Sequence, residues 1–219
     1  MTTPRIETSA KRVRVMLDGR FVADAPAPLL VWERPHYPTY YFPVAAVDPA
    51  VAAGDAAYTH TASELDGYVA LRWPAFDHWL EEDEEVFVHP RDPYKRVDIL
   101  RSTRHVVVSV EGTVVADSHR PTMLFETSLP RRHYLPLTDV RMDLLRPSPT
   151  RSRCPYKGEA VYWSVHRPDG GGVARDLVWS YPSPVRESAP IAGLLCFFDE
   201  HVDVTVDGEP QPRPVTAFS

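Results

Sequence analysis

The sequence is poor in cysteine and has no long apolar run. Its two cysteines, Cys154 and Cys196, form neither a CxxC pair nor a zinc-ligand set, so we interpret both as reduced thiols and expect no metal and no cofactor. No apolar stretch approaches the roughly 20 residues that a membrane helix requires. The N-terminal residues lack the apolar core of a signal peptide. We therefore expect a cytoplasmic protein with no membrane partner.

Positive charge is also scarce. Lys and Arg number 24 against 30 Asp and Glu, which gives a formal net charge of −6. Nucleic-acid-binding domains normally carry a basic face, so this balance argues against a nucleic-acid partner. The lysines are Lys11, Lys95 and Lys157, and the last two occupy the same tripeptide, Pro-Tyr-Lys.

An internal repeat divides the chain. Residues 9–48 align without a gap with residues 102–141, and the identities include Gly19 with Gly112 and Tyr41 with Tyr134. The segment "DEEVFV" at 83–88 also resembles "DEHVDV" at 199–204. The spacing between the two copies is larger at this second match than at the first, which predicts extra residues in the second copy. We place the boundary after residue 90, which gives modules 1–90 and 91–219, and the oligomeric state stays open.

Each copy is predicted to be mostly β-structure. Alternating apolar residues flank Asp18-Gly19 and Glu111-Gly112, which is a signal for two-residue hairpins. Helix is predicted only over 74–85 and 137–145. The 23 prolines favour short strands joined by loops. Residues 152–158 are predicted as a loop and turn that lead into a strand from Ala160.

The second copy carries the motifs Cys-Pro-Tyr-Lys-Gly (154–158), Tyr-Trp-Ser (162–164) and Trp-Ser-Tyr-Pro (179–182). With these motifs it resembles the family known as domain of unknown function 427. The resemblance implies a mainly β fold of two β-tent-like modules of small antiparallel sheets, similar to methionine sulfoxide reductase B. The family is also labelled nucleotidyltransferase-like (family 9), but the sequence shows neither a glycine-rich phosphate loop nor paired metal-binding carboxylates. The first copy lacks the first motif, so we interpret it as degenerate.

The candidate catalytic residues are Cys154, Lys157 and Glu126. Cys154 has cationic neighbours that would favour its thiolate, and we consider it as a nucleophile, a pocket wall or an inert core residue. Lys157 precedes Gly158 in a tight turn and would hold an anion or act as a base with a depressed pKa. A solvated loop lysine is the alternative. Glu126 or Tyr134 would move a proton.

The candidate substrate-binding residues are arginine and aromatic side chains: Arg132, Tyr134, Tyr156, Tyr162, Trp179 and Tyr181. Glu126, Arg132 and Tyr134 would form a carboxylate–guanidinium–phenol set that orients a polar ligand. The alternatives are a structural ion pair for Arg132 and core packing for the aromatics. Our hypothesis is a polar, aromatic-lined pocket in the second module that binds, and in one version transforms, a small anionic metabolite. The alternative is a non-catalytic protein-interaction or structural module.

Overall fold

A computed structural model describes residues 4–166, 173–217 and 219. Two compact units divide the chain, Met1–Pro93 and Tyr94–Ser219. Among these described residues, strands hold 49% and helices 12%, which confirms the prediction of a mainly β chain with small antiparallel sheets and little helix. Within the described residues, no helix has both the length and the apolar character that crossing a membrane requires.

The first unit consists of two antiparallel sheets. Its strands are β1 (Arg5–Thr8), β2 (Val13–Leu17), β3 (Arg20–Ala25), β4 (Leu29–Trp32), β5 (Thr39–Pro43), β6 (Ala57–Tyr58), β7 (Tyr68–Leu71), β8 (His78–Glu81) and β9 (Glu84–Val86). One sheet has the order β1-β4-β5-β7-β6 and the other β3-β2-β8-β9. The α-helical turn α1 (Pro49–Ala52) begins at Asp48, whose side chain accepts a hydrogen bond from the Ala50 N–H at 2.9 Å. The 3₁₀ turns are Val44–Ala46, Ser63–Leu65 and Trp73–Ala75.

The second unit also has two antiparallel sheets, one of them larger. Its strands are β10 (Val97–Arg101), β11 (Val106–Val110), β12 (Thr113–Ser118), β13 (Thr122–Glu126), β14 (Arg132–Leu135), β15 (Leu145–Cys154), β16 (Gly158–His166), β17 (Val173–Ser180), β18 (Leu195–Phe197), β19 (Asp203–Val206) and β20 (Glu209–Pro210). The seven-stranded sheet has the order β10-β13-β14-β18-β17-β16-β15, and the four-stranded sheet β12-β11-β19-β20. The 3₁₀ turns are Leu137–Asp139, Met142–Leu144 and Arg186–Ile191.

Both predicted hairpins are confirmed. Asp18-Gly19 joins β2 to β3, and Glu111-Gly112 joins β11 to β12. All four turn residues have positive φ, at 50°, 75°, 48° and 81°. A two-residue type I′ turn requires positive φ at both positions, which is why glycine closes each hairpin.

The main core of the second unit lies between its two sheets. Valines of the four-stranded sheet pack against apolar residues of the seven-stranded sheet, among them Leu135, Val178 and Phe197. Successive side chains on a strand point to opposite faces. The neighbours of these residues, Tyr134 and Trp179 among them, therefore belong to a second cluster on the other face of the seven-stranded sheet.

The two copies share their first five strands and then diverge. Beside β2, Trp79 of β8 lies opposite Val15, and beside β11, Val204 of β19 lies opposite Val108. Val15 and Val108 are 93 positions apart, whereas Trp79 and Val204 are 125 apart. The expected match of 83–88 with 199–204 is therefore wrong, because 83–88 contains the edge strand β9. The second unit gains its extra length chiefly in the hairpin of β15 and β16.

The helix predictions fail for a tertiary reason. Residues 74–85 form a 3₁₀ turn followed by β8 and β9, because β8 pairs with β2 on one side and β9 on the other. Residues 137–144 form two 3₁₀ turns. The predicted loop at 152–154 is instead the end of β15, an edge strand that tolerates Pro147 and Pro149.

Candidate functional site

Four of the five candidate aromatic residues, all except Tyr156, share one face of the seven-stranded sheet. A row of cross-strand neighbours runs from Tyr134 through Cys196 and Trp179 to Tyr162. Directly opposed residues of an antiparallel sheet point to the same face. Tyr181 follows β17 and belongs to the same cluster. We call this surface the aromatic face.

The Cys-Pro-Tyr-Lys-Gly motif forms the turn between β15 and β16 at one end of the aromatic face. The Lys157 N–H donates to the Cys154 carbonyl at 3.3 Å. Gly158 has φ +101°, and an added Cβ would lie 3.3 Å from the Ser183 carbonyl oxygen. Glycine is therefore needed both for its backbone conformation and for the close approach of the neighbouring chain.

Lys157 reaches from this turn to Glu126 at the end of β13. Its ammonium group forms an ion pair with the Glu126 carboxylate, and only 11% and 7% of the two side chains are exposed. The alternative of a solvated loop lysine is therefore wrong, because the turn directs Lys157 inward. A charge buried to this degree requires a partner, and Glu126 provides it.

The electrostatic surroundings keep Lys157 protonated. Burial alone lowers the pKa of Lys157, but the neighbouring Cys154 and the Glu126 carboxylate outweigh burial and raise it. A raised pKa favours anion binding over the alternative role of a base with a depressed pKa. Burial, together with the nearby Cys154, also raises the pKa of Tyr181, so its phenol keeps its proton.

Arg132 and Tyr134 have partners other than those expected. Arg132 donates two hydrogen bonds to the Glu200 carboxylate, at 2.7 and 2.6 Å. The Tyr134 hydroxyl accepts a hydrogen bond from the Trp179 indole N–H at 3.1 Å. Since Glu126 pairs with Lys157, the expected carboxylate–guanidinium–phenol set does not form. Burial raises the pKa of Tyr134 well above its usual value, which disfavours proton transfer by this residue.

The remaining candidates, Cys154, Tyr156 and Tyr162, are half-buried. Cys154 is half-buried and packs at the edge of the aromatic cluster. The Tyr162 hydroxyl lies 2.6 Å from the Ser152 hydroxyl. Tyr156 is half-buried in the turn, and its carbonyl accepts a hydrogen bond from Ser188 at 2.8 Å. Cys196 is fully buried, and burial raises the pKa of its thiol, so it is a core residue.

Sequence reasoning missed a buried histidine on the opposite face of β14. His133 is 4% exposed, and within the described residues neither ring nitrogen has a hydrogen-bond partner. Its Nδ1 lies 3.4 Å from the Asp199 carboxylate. Both line a cavity of about 420 Å³ with Arg131 and Gln211. The sequence carried one signal for its orientation. His133 lies between Arg132 and Tyr134 on β14, so its side chain points to the face opposite theirs.

His105, Asp117 and His119 form a cluster that sequence spacing did not reveal. Their potential ligand atoms lie within 4.8 Å of one another. His105 Nε2 is 2.7 Å from Asp117, and the two imidazole rings stack at 3.9 Å. Parallel stacked rings do not converge on one ion. The Arg12–Asp24 pair at the equivalent place in the first unit has a 2.7 Å hydrogen bond, so we interpret His105 and Asp117 as a cross-strand hydrogen-bonded pair.

The comparison with known proteins identifies the chain's family and no individual relative. A family model described as "Domain of unknown function (DUF427)" matches residues 5–69 and 98–208. No curated protein matches the chain. The family model covers most of both copies and includes the turn that carries Cys154 and Lys157. The chain therefore belongs to the DUF427 family, in two copies of which the first is partly degenerate.

Proposed function

We propose that the second unit binds a small anionic metabolite at the Lys157 end of the aromatic face. The observation that carries the proposal is the buried ion pair of Lys157 and Glu126 beside the half-buried Cys154. Apolar replacement of a buried ion pair is often neutral or stabilising. We infer that this pair is retained for binding and not for stability.

The Lys157 ammonium group has the capacity for a further contact. An ammonium carries three N–H donors, and the hydrogen bond to Glu126 uses one of them. An anionic group of a ligand would accept another, while Tyr181 stays protonated nearby as a further donor. Arg151 and Arg153, which are exposed on the edge strand β15, would attract the anion by their charge.

Aromatic side chains would hold the apolar part of the ligand. Tyr162 stacks with Phe198 at 6.5 Å, and Trp179 lies 4.5 Å from the same ring. Tyr162 and Phe198 are half-buried, so their rings are partly available for contact. The proposal is for binding; a reaction would add Cys154 as the nucleophile.

Alkylation of Cys154 by iodoacetamide tests this proposal. A bound anion would cover the thiol, so we expect inorganic phosphate or succinate to slow alkylation at neutral pH. Cys196 is fully buried and serves as the internal unreactive thiol. A ligand that binds only the native state also raises the thermal midpoint, which provides a second readout.

The matched variants are Lys157→Met and Lys95→Met. Lys95 occupies the same tripeptide but is only half-buried, and it donates to the Thr127 carbonyl at 3.3 Å. Protection should disappear in Lys157→Met and persist in Lys95→Met. Equal protection in both variants would contradict the role of Lys157. No protection by either anion would contradict the binding proposal and favour the alternative of a non-catalytic interaction module.

A further inference from the structure

A cavity of about 480 Å³ opens beside Glu33 in the first unit. Aromatic rings line it, namely those of Tyr37, Tyr40, Tyr58, Trp73 and Trp79. Its charged and titratable groups are Glu33, Arg34, Arg72 and His89. A cavity of this size, with aromatic walls and a few polar groups, is typical of a site for a small molecule.

Glu33 occupies the same structural position as Glu126 of the second unit. In the first unit Ile6 lies opposite Val31, and Glu33 follows two residues later. In the second unit Ile99 lies opposite Leu124, and Glu126 follows two residues later. The two carboxylates therefore stand at equivalent ends of β4 and β13, and their surroundings can be compared directly.

The two carboxylates have partners of different charge. Glu126 pairs with the Lys157 ammonium. Glu33 accepts hydrogen bonds from the hydroxyl groups of Tyr41, of Tyr58 at 3.0 Å and of Thr39 at 3.3 Å. Among the described residues, no cationic side chain forms an ion pair with Glu33.

The tyrosine partners of Glu33 remain neutral donors. Burial, reinforced by the Glu33 carboxylate, raises the pKa of both Tyr41 and Tyr58. Neutral donors stabilise a carboxylate without cancelling its charge. Glu33 thus presents a negative charge to an aromatic-walled cavity, whereas the charge of Glu126 is balanced within the second unit.

The backbone beside the cavity is strained. Val88 lines the cavity and has φ +72°. A β-branched residue with this φ is an outlier, and such strain is concentrated at binding sites and switch regions. This observation is independent of the comparison between the two carboxylates.

Two guanidinium groups complete the charges of the cavity. Arg72 lies over the Tyr58 ring at 4.9 Å and donates to the Asp55 carbonyl at 3.1 Å. Arg34 is exposed. A simple cation would be attracted by Glu33 and repelled by both arginines. A ligand that carries both a positive and a negative group matches the combination of one carboxylate and two guanidinium groups in the cavity.

We propose that this cavity binds a small amino-acid-like zwitterion, with its ammonium group on Glu33 and its carboxylate facing Arg34. The ligand supplies the cation that Lys157 supplies within the second unit. The aromatic rings pack against its apolar body and also attract the ammonium group through their π faces. The site is independent of the anion site proposed above and stands on different residues.

Isothermal titration of the full chain with three probes of the same shape tests this inference. The probes are phenylalanine, 2-phenylethylamine and 3-phenylpropionate, which carry both charges, the ammonium only and the carboxylate only. We expect phenylalanine to bind most tightly and 3-phenylpropionate most weakly. Glu33→Gln keeps an acceptor for the tyrosines but removes the charge, and should weaken phenylalanine and 2-phenylethylamine by about 10-fold or more.

Two further variants complete the test. Arg34→Ala changes an exposed side chain and should weaken the binding of phenylalanine without weakening that of 2-phenylethylamine, which Arg34 repels. Glu64→Gln is the control, because Glu64 is exposed in the same unit and does not line the cavity. Binding that is unchanged in Glu33→Gln, binding of 3-phenylpropionate as tight as that of 2-phenylethylamine, or no binding of any probe at millimolar concentrations would overturn the inference.

Discussion

Breaking the Lys157–Glu126 ion pair from one side should destabilise the second unit far more than replacing both partners. The two side chains are 11% and 7% exposed, so either one left alone would be a buried charge. Removing one partner of such a pair costs about 3–5 kcal/mol, whereas apolar replacement of both is often neutral. We expect Lys157→Met and Glu126→Leu each to lower the free energy of unfolding by about 3 kcal/mol. The double variant should lie within about 1 kcal/mol of the wild type.

Urea unfolding, followed by circular dichroism and tryptophan fluorescence, measures these changes. Lys95→Met is the matched control, because Lys95 is only half-buried and its hydrogen bond is exposed, and this change should remain within about 0.5 kcal/mol. Because the chain has two compact units, the unfolding curve is fitted with a separate transition for each unit. Single variants that each cost less than about 1 kcal/mol, with effects that add in the double variant, would refute the description of a buried, mutually dependent pair.

The pH dependence of the same variant checks the protonation state. The pKa of Lys157 is raised above its usual 10.5 in the folded protein. A raised lysine pKa adds stability that is fully present below the unfolded value and is lost as pH rises through the folded value. The difference between wild type and Lys157→Met should therefore be constant through neutral pH and shrink only above 10.5. A difference that shrinks near neutral pH would indicate a depressed pKa.

Two further predictions concern residues that support the aromatic face. Burial opposes ionisation of Glu200, but hydrogen bonds from Arg132 and Thr216 lower its pKa from 4.5 to about 2. Ionised Glu200 should contribute about 3 kcal/mol to the free energy of unfolding above pH 4.5, and this contribution should be lost as pH falls to about 2. The thermal midpoints of wild type and Glu200→Gln should therefore converge over this pH range. Midpoints that stay equally far apart would contradict this prediction. Gly158→Ala should cost about 1 kcal/mol more than Gly112→Ala in urea unfolding, because both have positive φ but only Gly158 has backbone atoms within 4 Å of an added Cβ. Equal losses would show that the close contact does not matter.

Local chemistry made the frame of the two units predictable. Asp18-Gly19 and Glu111-Gly112 specify tight hairpins, and alternating valines in β11 and β19 specify which side chains face the core. These features depend on neighbours in the chain, so a single sequence reveals them. The repeat was also evident over the first five strands, where the two copies keep the same spacing.

The failures came from strand pairing over long distances. Residues 74–85 have local helical features, yet β8 forms there because β2 and β9 supply hydrogen bonds on both sides. The edge strand β15 contains two prolines and is stabilised on one side by β16. A local pattern does not indicate which distant strand will complete a sheet.

The site was predictable by residue type and not by partner. The sequence alone selected Glu126, Lys157 and Cys154, and the structure brings them together at one end of the aromatic face. The sequence could not show that Arg132 pairs with Glu200, 68 positions away in the chain, or that Lys157 turns inward. Burial decides such pairings, because a charge without solvent must find the opposite charge nearest to it in space. Only the tertiary structure therefore decided which of these charges neutralise one another and which, like Glu33, face an open cavity.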